Sequence, residues 1–146
     1  KRSFYINSIT FRAFNSNIPK PKTFFDWLSR DEKVITDLYN DPLYRINCSN
    51  NLFLELFKGL KAIQRPIGVK RIPQNLPILL VSGDSDPVGH WGKDIPELAK
   101  LYKSVGIKNV QYKLYPGARH EIINEINKSE VIEDITNWLD SITETT

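Results

Sequence analysis

Hydrophobic positions change their spacing once along this chain, near Pro66. Up to that point they recur at helical intervals. Phe4, Ile6, Ile9, Phe11 and Phe14 form a loosely amphipathic opening segment, stopped by the turn-forming run from Asn15 to Pro19 and by Pro21. Asp31 is placed to cap a short helix through Leu38, which Asp41 and Pro42 end because a residue before proline is pushed out of the α region. Ser49 is placed to cap a longer helix in which Phe53, Leu56, Phe57, Leu60 and Ile63 share a face, with Pro66 beyond its end. These aromatic-rich stripes are expected to make core contacts, although apolar ligand pockets use the same residue types.

Beyond Ile67 the pattern becomes strand, helix, strand, helix. Residues 77–82 (PILLVS) are a short continuous apolar run closed by Gly83, as in a strand buried on both faces. Ile95, Leu98, Ala99, Leu101 and Tyr102 mark an amphipathic helix that Gly106 ends. Residues 110–115 (VQYKLY) alternate like a strand near a sheet edge, and Pro116-Gly117 turns the chain. A last helix, from about Val131 to Ile142, is expected to bury Val131, Ile132, Ile135, Trp138, Leu139 and Ile142. Such an order implies an α/β fold with parallel strands joined by a crossover helix. Ligands in these sheets bind at the carboxyl ends of the strands.

That rule singles out two loops, residues 83–89 (GDSDPVG) and 116–121 (PGARHE). Asp86 and His120 are 34 positions apart, yet one crossover brings both loops to the same end of adjacent strands. A carboxylate on Nδ1–H would fix the imidazole tautomer and stabilise the imidazolium formed when Nε2 takes a proton. Spacing alone leaves the catalytic and the purely structural readings of this pair open, because acid–imidazole pairs also occur as structural elements. Asp84 competes for the acid role, but a bond to the turn backbone suits it better. His90, in the loop before the helix, fits a substrate rim or a solvated position. Glu121 and Glu125 need only helix-start and solvated roles.

Composition removes several classes. With 20 basic and 17 acidic residues the net charge is +3, and the basic residues are scattered rather than gathered into a block, so nucleic acid is not an expected partner. The single cysteine, Cys48, has no internal disulfide partner and reads as a small buried hydrophobe. Apolar runs are too short to span a bilayer, and no signal-peptide pattern opens the chain. The cytoplasm is the default compartment, and a mildly basic surface allows peripheral contact with lipid. Neither histidine belongs to a ligand cluster, so no metal or organic cofactor is expected.

The two loop motifs, the helix between them and the closing helix around Trp138-Leu139 resemble the end of the α/β-hydrolase fold, near its monoacylglycerol lipase and lysophospholipase branch (the serine aminopeptidase-like group). Residues 25–31 (FDWLSRD) and 41–43 (DPL) resemble the cap that such enzymes insert over the active site. The resemblance implies a helical cap segment over residues 1–66 and the C-terminal part of the hydrolase core over 67–146. It also implies Asp86 as the triad acid and His120 as the triad histidine. The family's nucleophile lies in G-x-S-x-G, which does not occur here; Ser85 stands in the acid loop as a turn residue. Since the serine precedes the acid in this fold, the expectation is a fragment of a serine hydrolase of lipid-like carboxylic esters, lacking its nucleophile. A peptidase, thioesterase, acyltransferase or non-catalytic binding module of the same fold is the alternative. A strand edge left open by the missing sheet would favour self-association or pairing with the absent half.

Overall fold

The computed structural model describes residues 13–44, 48–63 and 66–143. Most of the expected opening helix, Phe4 to Phe11, therefore lies outside the described residues; within them, Ala13–Asn15 forms one 3₁₀ turn. Five helices and two strands follow among the described residues: α1 (Glu32–Asn40), α2 (Asn50–Ile63), α3 (Pro66–Val69), β1 (Ile78–Gly83), α4 (Asp94–Ser104), β2 (Val110–Tyr115) and α5 (Lys128–Thr143). No helix among them is long and apolar enough to cross a membrane.

Local chemistry sets the helix ends. The Asp31 carboxylate accepts from the N–H groups of Lys33 (2.9 Å) and Val34 (3.4 Å), two donors that the first turn of α1 leaves without intrahelical partners. Replacing Asp31 by alanine should therefore lower stability by about 1 kcal/mol. Urea titration would read this as a lower midpoint at constant slope. Ser49 caps α2 in the same way, its Oγ accepting from Leu52 N–H at 3.1 Å. Helix α4 has no side-chain cap; Asp94 and Glu97 in its first turn and Lys103 in its last suit the helix dipole instead.

Strands β1 and β2 pair in parallel from Ile78 against Val110 to Gly83 against Tyr115. Alternation sends Ile78, Leu80 and Val110 to one face, where they pack with Ala99, Tyr102 and Ile107. Val81 and Tyr115 go to the other face and pack with Val131 and Ile135 of α5. A third cluster (Ile18, Trp27, Leu28 and Ile35, with Phe14, Phe25 and Leu38) holds the helical region together.

Three burial expectations need correction. In β1 only Ser82 and Gly83 are buried, and the apolar run is half-covered. Two strands are the whole sheet among the described residues, and Leu79 and Val81 border a hollow of about 290 Å³ shared with Tyr112 and Trp138. In α2 the stripe is not core: Phe53 is buried, but Leu56, Phe57, Leu60 and Ile63 are exposed, and none belongs to the three clusters. In α5 Val131 is fully buried while Ile132 and Leu139 are exposed, because only one stripe of that helix meets the sheet.

Candidate active site

The site lies where both strands end. Past Gly83 and Tyr115 the two loops are joined by backbone bonds, Asp84 N–H to Tyr115 O (3.1 Å) and Ser85 N–H to Ala118 O (3.0 Å). Asp84 strengthens the junction by accepting from Gly117 N–H at 2.7 Å, a bond to the histidine loop rather than within its own turn. Gly117 has φ +70°, a left-handed conformation that strains any residue bearing a Cβ. The loops meet so closely that Gly83 has no room for a side chain: an added Cβ would lie 1.9 Å from Ala118 O.

Asp86 is buried, and among the described residues each carboxylate oxygen has one hydrogen-bond partner. Oδ1 accepts from Val88 N–H at 2.8 Å, closing a turn over Pro87, and Oδ2 lies 3.0 Å from His120 Nδ1. An ionised carboxylate only accepts hydrogen bonds, so Nδ1 carries the proton and Nε2 is left with a lone pair. The His120 side chain is 37% exposed, and its ring packs at 5.0 Å against Trp27, tilted by 40°. The imidazole pKa is raised above its ordinary 6.5, first by the hydrogen bond that Nδ1–H donates to Asp86, with the charges of Asp86 and Glu121 adding and partial burial opposing. An open Nε2 on a ring of raised basicity can take a proton from a neighbouring hydroxyl and return it to a leaving group.

The other candidates lie apart from this pair. His90 is exposed, 3.3 Å from Asp94 Oδ1, in a loop where His90 (φ 54°), Trp91 (φ 54°) and Gly92 (φ 76°) are all left-handed. The hydroxyls of Ser29, Ser82 and Ser85 donate to Asn124 O, Gly83 O and Asp84 Oδ1 respectively. Cys48 is half-buried. Among the described residues no group of three His, Cys, Asp or Glu side chains could hold a metal ion.

Glu125 overturns its expected solvated role: it is completely buried, with Arg30 Nε donating to its Oε2 at 2.8 Å. Sequence reasoning missed it because an acidic residue in a polar loop resembles a surface residue, and its partner lies 95 positions away. The nearest signal was Arg30 itself, in the FDWLSRD run. Arg119 was also unflagged; burial lowers its pKa, the charges of Glu125 and Asp26 opposing that and Arg30 adding to it.

The chain is similar in sequence and fold to several known proteins. The family model described as "Serine aminopeptidase, S33" matches residues 4–127. A monoacylglycerol lipase from Mycolicibacterium smegmatis is 28% identical over 124 residues, which are 84% of this chain and 41% of that protein. Among solved structures, a highly thermostable carboxyl esterase from Bacillus coagulans, in complex with glycerol, is 29% identical with a TM-score of 0.86, covering 97% of this chain and 46% of the esterase. A monoacylglycerol lipase from Paleococcus ferrophilus shares the fold at 20% identity and a TM-score of 0.63, with 96% of this chain and 53% of that one covered. The chain thus spans about half the length, or less, of these relatives.

Proposed function

We propose, from the premise that this chain belongs to the serine aminopeptidase S33 family and has the α/β-hydrolase fold, that it supplies the acid and the base of a serine hydrolase triad. The single observation that carries the reading is the 3.0 Å contact between Asp86 Oδ2 and His120 Nδ1 at the carboxyl ends of adjacent parallel strands. His120 Nε2 takes the proton of a serine hydroxyl as that oxygen attacks an acyl carbonyl, and Asp86 stabilises the imidazolium. His120 then gives the proton to the departing alcohol, and a water molecule activated by the same base releases the acid. The 146 residues contain no G-x-S-x-G, so the nucleophile and its oxyanion donors belong to a part of the protein outside this sequence, and these residues alone do not hydrolyse esters by this route. The edge of β1 that is open among the described residues is then the seam where the rest of the sheet docks.

The substrate class is a lipid-like carboxylic ester. Two relatives are a monoacylglycerol lipase and a carboxyl esterase, and the exposed apolar stripe of α2 offers a surface for an acyl chain. The family's name favours a second reading, aminopeptidase activity with the same proton transfers on an amide.

One experiment separates the readings. Full-length protein is assayed on acyl esters of graded chain length and on aminoacyl anilides, with kcat/KM followed against pH. Ester hydrolysis is expected, with kcat/KM rising as His120 loses its proton, so the limb lies above 6.5 because Asp86 raises that pKa. Stability runs the opposite way: the pair's contribution is complete below 6.5 and is lost as pH rises through the raised folded value. Cleavage of anilides alone would move the assignment to a peptidase. Inactivity on both panels would remove the hydrolase reading.

A further inference from the structure

Four donors converge on the buried carboxylate of Glu125. Oε1 accepts from the backbone N–H of Arg30 (3.1 Å) and of Arg119 (2.9 Å), and Oε2 accepts from Arg30 Nε (2.8 Å) and Ile126 N–H (3.0 Å). Arg119 immediately precedes His120, so one oxygen bridges the histidine loop to a segment far away in the chain. The bonds around it run the same way. His120 N–H donates to Trp27 O (3.3 Å) and Glu121 N–H to Leu28 O (2.8 Å). Arg119 Nη1 donates to Asp26 O (2.5 Å) and Ser29 O (2.9 Å). Arg30 Nη2 reaches Asn127 Oδ1 at 2.9 Å, beyond Glu125. Residues 26–30 therefore strap the loop from Pro116 to Asn127, and Trp27 in that strap also walls the imidazole.

Asp86 holds His120 by a single bond to Nδ1. That bond sets the tautomer, but the backbone that carries the ring leaves β2 through a turn and reaches only a 3₁₀ turn at Ile122–Asn124. Its position must be set elsewhere. The geometry points to Glu125, clamped by Arg30, as a positioning residue for His120: the carboxylate ties Arg119 to Arg30 and so holds the imidazole over Asp86. The catalytic consequence rests on the hydrolase reading above; the positioning itself does not.

The test uses full-length protein with Glu125→Gln and, separately, Arg30→Lys. In Glu125→Gln an amide NH₂ faces N–H donors where an acceptor oxygen stood, so half of the clamp opens without loss of volume. In Arg30→Lys the charge remains but the fork to Glu125 and Asn127 is lost. Three readings are taken: kcat and KM on an acyl ester, the pH limb of kcat/KM, and the His120 pKa by NMR. A ring displaced by even 1 Å should lower kcat by about 10–100-fold with KM changed by less than about threefold. The His120 pKa should fall back towards 6.5, with Arg30→Lys giving the smaller effect in the same direction.

A folded Glu125→Gln protein that melts earlier but keeps the parent kcat and His120 pKa overturns the proposal, since Glu125 would then serve only the fold. If that variant does not fold, Arg30→Lys decides by the same readings; failure of both to fold also assigns the pair to the fold alone. A parent protein inactive on every ester would sink the hydrolase reading separately, while the NMR titration would still report whether Glu125 holds the ring.

Discussion

Full-length protein carrying His120→Ala should lose about 10⁴-fold or more in kcat/KM on an acyl ester, while it still folds. The loss is large because the imidazole works twice, taking the nucleophile's proton and later protonating the leaving group. Stability should fall by only about 1–3 kcal/mol, the cost of leaving the buried Asp86 Oδ2 without its partner, because the histidine side chain is itself 37% exposed. Asp86→Asn should cost about 10³–10⁴-fold for a different reason. An amide NH₂ placed 3.0 Å from Nδ1 donates where the carboxylate accepted. The imidazole must then carry its proton on Nε2, and the nitrogen that should receive a proton is occupied. The bond from Val88 N–H to Oδ1 survives this change, so the loop keeps its shape. The pH limb should also move down towards 6.5, because the hydrogen bond that raises the His120 pKa is gone. Both variants are compared with the parent by steady-state kinetics and thermal melting. Either variant retaining activity within about threefold of the parent would remove Asp86 and His120 from the chemistry.

The second large effect is expected at Gly83. A Cβ there would lie 1.9 Å from Ala118 O, 2.3 Å from Ala118 C and 2.5 Å from Arg119 O. All three are backbone atoms of the histidine loop, so no side-chain rotation relieves the clash; the loop itself must move. Gly83→Ala should cost about 3 kcal/mol or more, at or above the upper end for overpacking, because the bond from Ser85 N–H to Ala118 O is strained in the same displacement. His120 follows two residues after Ala118, so activity of the remaining folded protein should fall by about 10²-fold. Gly59→Ala is the control. Its Cβ would meet nothing within 4 Å, and in the middle of α2 alanine should stabilise by roughly 0.5–1 kcal/mol. Urea denaturation of both variants gives the comparison. Equal stability of Gly83→Ala and the parent would mean that the two strand-end loops are not packed as described.

These predictions draw unequally on what could be read in the chain. Asp31 and Ser49 were legible as caps, since a capping side chain bonds to donors two or three residues away. The alternation in residues 110–115 coincides with β2, and Gly106, at φ +96°, stands where α4 has ended. Strand, helix, strand also sufficed to bring the loops of Asp86 and His120 together, because a parallel pair puts both strand ends on one side. Each of these features depends on neighbours in sequence or on the handful of topologies open to a short α/β unit.

By itself, then, the sequence determined the order of the two strands and the longer helices around them, two helix caps, and the meeting of an acid loop with a histidine loop. It did not show the short α3, and α5 begins at Lys128, ahead of the expected Val131. Tertiary structure alone decided which residues are covered and by what. Phe57 and Leu60 have the periodicity of core residues yet are exposed, and Glu125 has the look of a surface residue yet is completely buried. The physical reason is range. Periodicity and turn chemistry act over a few residues, whereas burial and the bonds that hold a buried charge depend on segments such as residues 26–30, which only folding brings to the histidine.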